Sequence, residues 1–172
     1  MKKFQLIIAL LCLINIQAFA CTCYEITTKQ AINGAQIVMK GKVISKILTH
    51  NLSDISTIKT SDTTNIHYVM AHRILMAVVK IKINKLYKGK ISSDTITMIT
   101  PKMSASCDFN FQIGDEYIVY ATNHDTTFMS SKFERKSKDI NTYWTDQCSR
   151  TMLSNQSEED QIKKILKGKK SK

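Results

Sequence analysis

From residue 35 to residue 47 apolar and polar side chains alternate. Ile37, Met39, Val43 and Ile47 fall on one parity, Gln36, Lys40, Lys42 and Lys46 on the other, which predicts a strand with one face in a core. Gly41 in its middle marks a bend or bulge. Residues 71–86 give a second long strand, in which Val79, Ile81 and Ile83 alternate with Lys80, Lys82 and Asn84 while Ile74, Met76 and Val78 take the opposite parity. An apolar face that changes side within one strand predicts a bulge. Lys88-Gly89-Lys90 turns the chain, and a third strand over 94–100 ends at Pro101. Gly114-Asp115 turns into a fourth strand over 116–122, where Tyr117, Val119 and Ala121 oppose Ile118 and Tyr120. Less regular patterns at 126–133 and 141–145 add further strands. Residues 48–65, rich in Ser, Thr, Asp and Asn, hold no period and read as a long exposed hairpin loop.

Two helices flank the strands. Thr27 followed by Gln30 is a capping box that opens a short helix over 28–33, with Gly34 at the position after it. Ser157-Glu158-Glu159-Asp160 opens a second helix with its acidic residues in the first turn, Ile162, Ile165 and Leu166 on one face, and Gly168 after it. About five antiparallel strands with a helix at each end predict a mainly β fold, a five-stranded closed barrel of the OB type. No repeat or linker divides it: residues 21–155 form one domain and 156–172 a C-terminal helix and basic tail.

The first twenty residues stand apart. Lys2 and Lys3 precede an apolar run over 6–16, and Ala18-Phe19-Ala20 is a cleavage site with small residues at its first and third positions. The run is too short for a permanent membrane span, which needs ~20 residues, so residues 1–20 read as a secretory signal. The product is expected to be secreted, extracellular or periplasmic, with no transmembrane segment. A lipoprotein signal also ends before a cysteine and would leave Cys21 acylated, but Ala18 and Phe19 fit that pattern poorly.

Charge narrows the partners. The formal net charge is +11, of which two units belong to Lys2 and Lys3 and leave with the signal. Such an excess favours acidic partners, an anionic surface or a polysaccharide. Much of it sits in the tail, at Lys163, Lys164, Lys167, Lys169, Lys170 and Lys172. No aromatic residues interleave there for base stacking, so a nucleic-acid site is not expected.

Cleavage before Cys21 would leave a mature chain that begins Cys21-Thr22-Cys23. An α-amino group has a pKa of roughly 7.7 to 8.0, so a neutral fraction exists at physiological pH. That amine is a good nitrogen donor to zinc, and the Cys21 carbonyl could close a five-membered chelate ring. Cys12 leaves with the signal, and Cys21, Cys23, Cys107 and Cys148 remain, an even count that argues for disulfides in an exported chain. A Cys21–Cys23 ring would be strained. Two pairings remain, each tying the terminus to two distant loops and worth on the order of 4 to 5 kcal/mol per bridge on chain entropy. Cys21 and Cys23 could also be structural staples alone.

Other chemistry finds no support. His50, His67, His72 and His124 lack zinc-site spacing relative to the Cys-x-Cys pair, and no catalytic triad or phosphate loop is recognisable. The chain is expected to be no enzyme, to need no cofactor and to act as a monomer.

The ordered set of landmarks resembles the netrin-like domain, most closely the N-terminal domain of the tissue inhibitors of metalloproteinases. It comprises Cys21-Thr22-Cys23 behind a signal, Leu86-Tyr87-Lys88-Gly89 closing a long strand, and Thr100-Pro101-Lys102-Met103-Ser104-Ala105-Ser106-Cys107. Glu116-Tyr117-Ile118-Val119 and Thr145-Asp146-Gln147-Cys148-Ser149 complete it. The resemblance implies an OB barrel with the pairs Cys21–Cys107 and Cys23–Cys148. It also implies inhibition of a zinc metalloproteinase, the amine and carbonyl of Cys21 chelating the target's metal. Thr22 would enter the primary specificity pocket, Cys23 and Tyr24 would also contact the protease, and Met103, Ser104, Ala105 and Ser106 beside the terminus would complete a wedge. Met103 could instead be core. The family's third core disulfide and cysteine-rich C-terminal subdomain are missing, and Tyr24-Glu25 departs from its usual residues. Netrin-like modules also serve as binding domains that inhibit nothing, here through the barrel face or the tail.

Overall fold

The computed structural model describes residues 23–60, 63–64, 69, 73–102, 108–125 and 133–170. In chain order the elements are α1 (Thr28–Gly34), β1 (Ile37–Thr49), β2 (Ser56–Thr60), β3 (Met76–Lys88), β4 (Thr95–Pro101) and β5 (Glu116–Ala121). They continue with β6 (Phe133–Ser137), β7 (Thr142–Trp144), a 3-10 turn (Gln147–Ser149), β8 (Met152–Leu153) and α2 (Gln156–Lys170). β1 and β3, 13 residues each, pair along their length, and β1 also pairs through Ile37–Lys42 with β5. The result is a mixed six-stranded sheet ordered β7-β4-β3-β1-β5-β8, in which only β4 and β7 run parallel, and a separate β2-β6 pair.

The expected five-stranded closed barrel is therefore corrected to six strands plus two. The sheet curls until Thr122, just past β5, meets Trp144 of β7 through two backbone hydrogen bonds of 3.0 and 2.7 Å. That seam is one bridge and no ladder of paired strands, so strand pairing among the described residues does not close the ring.

Inside the curl lies a core of Ile37, Met39, Val43, Val79, Ile81, Ile96, Met98, Phe111 and Val119. Gly41 lets the central strands approach, since a Cβ there would stand 2.6 Å from Ile81 Cγ2 and 2.7 Å from the Lys82 carbonyl oxygen. Two further clusters cover parts of the outer face. Val38, Ile118 and Tyr120 pack under Ile32 of α1 and Ile162 of α2. Met76, Val78, Ile99 and Trp144 pack with Leu52 and Ile74. The second cluster corrects the bulge expected between Val78 and Val79: β3 pairs with β4 there without a register shift, and both parities are apolar because both faces are covered. The register shifts lie elsewhere. Asn84 and Tyr87 are skipped on β3 and Ile44 on β1. The last turns Ile47, expected inside, out to 61 % exposure.

Smaller departures have local causes. Gly34 is the last residue of α1, and Ala35 is its cap. α2 continues past Gly168 to Lys170, and Pro101 closes β4 opposite Met76. The presumed loop over 48–65 contains β2, which pairs with β6. The strand expected over 126–133 lies almost wholly outside the described residues. No helix among the described residues is long and apolar enough to cross a membrane.

Candidate functional site

The described chain begins at Cys23, whose Sγ is bonded to Cys148 of the 3-10 turn, with the two Cα atoms 5.1 Å apart. Cys21, Thr22, Met103, Ser104, Ala105, Ser106 and Cys107, and with them the Cys21–Cys107 pair, lie outside the described residues. After Cys23 the chain passes through Tyr24, whose side chain is 91 % exposed, and Glu25, also exposed, to the half-buried Ile26. It then enters α1 through the expected capping box. Thr27 Oγ1 accepts from the Gln30 amide at 3.2 Å, and the Thr27 amide donates to Gln30 Oε1 at 2.8 Å.

A second clamp, which no local pattern announces, holds this stretch. Arg150 follows the 3-10 turn in the left-handed region, at φ 67°, and its Nη1 donates to the Ile26 carbonyl at 2.8 Å. Its Nε and Nη2 donate to Glu158 Oε1 and Oε2 at 2.7 and 2.8 Å. Glu158 is buried, and it also accepts from Tyr120 Oη at 2.5 Å and Thr28 Oγ1 at 3.3 Å. One carboxylate thus joins the N-terminal stretch, α1, β5 and α2. Burial alone would raise the Glu158 carboxyl, but the hydrogen bonds from Arg150 and Tyr120 outweigh it and hold it below the ordinary carboxylate range. The same bond to Glu158 holds the Arg150 guanidinium above its usual value. Tyr120 is pushed well up by burial first and its bond to Glu158 second.

The sequence carried a faint signal for Glu158. Asn155 Oδ1 accepts from the Glu158 amide at 2.9 Å, so Glu158 stands where a capping-box acid reaches back to the cap. Here it turns to Arg150 instead. For Arg150 there was no signal, because its partner Ile26 is 124 residues away.

The described residues that flank 103–107 are held at fixed points. Lys102 Nζ meets Asp108 Oδ2 at 2.7 Å. The Lys102 amide donates to the Leu75 carbonyl at 2.7 Å, and the Phe109 amide to Thr100 Oγ1 at 3.1 Å. Phe109 stacks edge-on against Phe111 and Tyr117, at 4.7 and 5.6 Å between ring centres. The 3-10 turn lies between this base and the N-terminal stretch. Gln147 lines a groove of about 530 Å³ with Tyr24, Ile26, Thr28 and Arg150 on one side, and a hollow of about 600 Å³ with Asp108, Phe109 and Asn110 on the other. Tyr24 and Ile26 therefore lie on one side of this short turn and Asp108 and Phe109 on the other. Among the described residues no group of three or more His, Cys, Asp or Glu side chains is gathered to hold a metal ion. No protein-family model matches the chain, and a search of curated proteins gave no match.

Proposed function

We propose that the mature chain is an exported inhibitor of a zinc metalloendopeptidase that acts through its own N-terminus. The Cys21 amine and carbonyl would take the open position that a catalytic zinc keeps for water or substrate. Thr22 would enter the adjoining specificity pocket, with Tyr24 and the 103–106 segment on either side. One observation carries this reading: close behind Cys21 the chain is tied twice to the 3-10 turn and the residue after it, by Cys23–Cys148 and by Arg150 on the Ile26 carbonyl, while Tyr24 stands out into solvent. The stretch from Cys23 to Ile26, held in this way, has surrendered its ordering entropy before it meets a target. In the same reading the curled sheet is an OB-type, netrin-like barrel with the Thr122–Trp144 bridge as its seam.

A second reading is a netrin-like binding module without inhibitory action. It is favoured by Ile44, Ile47 and Leu48, which stand 48 to 61 % exposed at the far end of β1. Two proteins separate the readings, one beginning at Cys21 and one carrying an extra Ala before it. Assayed against a panel of zinc endopeptidases, the extended protein should lose about a hundredfold in potency, the equivalent of roughly 2.7 kcal/mol. Equal behaviour of the two would refute the mechanism, and the mass of the secreted N-terminus would show whether the amine is open.

A further inference from the structure

Between the two outer clusters lies a bare stretch of sheet. α1 and α2 cover Val38, Ile118 and Tyr120, and Leu52 and Ile74 cover Met76 and Val78. The part left uncovered carries Lys42, Lys80, Lys82 and Lys85, all exposed. Lys42 and Lys82 stand directly opposite each other on β1 and β3. Asn84, skipped in the pairing, returns Lys85 to the same face, opposite Lys40. Hydroxyls flank the row: Thr95 pairs with Lys82, Thr97 and Ser45 with Lys80. Along β3 the line from Lys80 to Lys85 is about 16 Å long at the usual rise per residue.

The surroundings answer little of this charge. Glu116 pairs with Lys42 across β1 and β5, but its carboxylate is taken by Lys40 at 2.9 Å and by the Asn84 amide. Glu159 holds Lys40 as well, at 2.8 Å. Lys80 Nζ donates to Thr97 Oγ1 at 2.8 Å, and Lys85 Nζ lies 5.3 Å over the Tyr87 ring. Among the described residues no carboxylate lies within ion-pair distance of Lys42, Lys80, Lys82 or Lys85. Like charges directly opposite on neighbouring strands destabilise a sheet. Lys80 leans on Thr97 and Lys85 on the Tyr87 ring and the charge of Asp160, but the facing pair Lys42 and Lys82 works against the fold with no carboxylate between them, which marks a functional surface.

We propose that this strip binds a linear anionic polysaccharide. A line of ammonium groups with hydroxyls beside it matches a chain of spaced sulfates or carboxylates. The strip has no exposed aromatic ring on which bases could stack, and its charges form a row along β3 with Lys42 beside it on β1, where a lipid surface would call for a broad plane of them. The site is separate from the N-terminus, so it stands or falls independently of inhibition.

The test uses the mature protein with heparin as the probe, titrated between about 50 and 200 mM NaCl. The triple variant Lys42→Gln, Lys80→Gln, Lys82→Gln should bind about tenfold more weakly. Its slope of log affinity against log salt should fall by about 2, near the release expected for three contacts at ~0.7 each. The tail variant Lys164→Gln, Lys167→Gln should stay within about twofold of the parent. Single-stranded DNA and vesicles of phosphatidylserine and phosphatidylcholine should bind more weakly than heparin. Lys42→Gln alone should raise the urea midpoint while it weakens binding, which keeps the test open if the triple variant folds poorly. Absence of heparin binding, retention of affinity by the strip variants, loss of it in the tail variant, or equal binding to DNA or vesicles would each overturn the proposal.

Discussion

Replacing Arg150 with Met keeps the methylene stem and the backbone conformation while it removes the charge that answers Glu158. The carboxylate's own side chain is 4 % exposed, so its charge cannot be handed to water, whereas the Arg150 side chain is 26 % exposed. Removing one member of a buried pair costs about 3 to 5 kcal/mol. The partial exposure of Arg150, with the surviving bonds from Tyr120 and Thr28, puts this case near 3 kcal/mol at pH 7, or about 10 °C in Tm. The pH dependence identifies the cause. In the parent Glu158 is held below its unfolded value of about 4.3, so its contribution is present above that pH and is lost as pH falls through the folded pKa. In the variant only the bonds from Tyr120 and Thr28 oppose burial, so the carboxyl rises relative to the parent, and the penalty, full at neutral pH, fades as the group protonates. Urea unfolding followed by circular dichroism should therefore give a gap that narrows by half or more between pH 7 and about pH 4. Adding Glu158→Gln to the variant should recover part of the loss at pH 7, because the orphaned charge is gone. A gap that is constant with pH, or below about 1 kcal/mol at pH 7, would mean that the guanidinium acts through Ile26 or through packing alone.

Three further outcomes follow from the same geometry. Cys23→Ser with Cys148→Ser opens a bridge of sequence separation 125 and should cost about 5 kcal/mol on chain entropy, read as a lower urea midpoint. Gly41→Ala drives a methyl group into Ile81 and the Lys82 carbonyl and should cost about 1 to 3 kcal/mol; a neutral result would mean that the strands can part there. Tyr24→Ala should leave stability within about 0.5 kcal/mol yet change inhibitory potency more than about threefold, and unchanged potency would remove Tyr24 from the contact surface.

What could be read from the chain was what its neighbours in sequence determine. The Thr27 and Gln30 box is complete within four residues, and β1 alternates from Met39 to Val43, where Met39 and Val43 enter the core while Lys40 and Lys42 face outward. Legibility failed where a distant segment changes the environment. The early residues of β3 are apolar on both parities because Leu52 and Ile74 cover the outside, and periodicity alone reads that as a bulge. One residue skipped at Ile44 reverses the parity behind it, so Ile47 points outward although it matches Val43 by count. β2 was hidden because Ser56-Thr57-Ile58-Lys59-Thr60 pairs only with β6, outside the core that would impose alternation. β8, two residues long, is too short to show a period.

The site divides along the same line. A Cys-x-Cys pair behind an expected cleavage site can be seen in the sequence, but a disulfide alone fixes one point and leaves the chain free to swing about it. Between Cys23 and Thr27 the structure adds a second point at the Ile26 carbonyl and a third at the helix cap, so only Tyr24 and Glu25 bow outward. Ordering a residue costs roughly 1 to 2 kcal/mol, so five residues ordered before any encounter spare a complex on the order of 5 to 10 kcal/mol. That is comparable to the whole difference between weak and tight association. The donors on Cys21 supply the chemistry of the proposed contact, and Arg150 with Glu158 supplies the rigidity that makes two donor atoms sufficient. Loosening the second clamp should therefore weaken inhibition even while the disulfide and the amine remain intact.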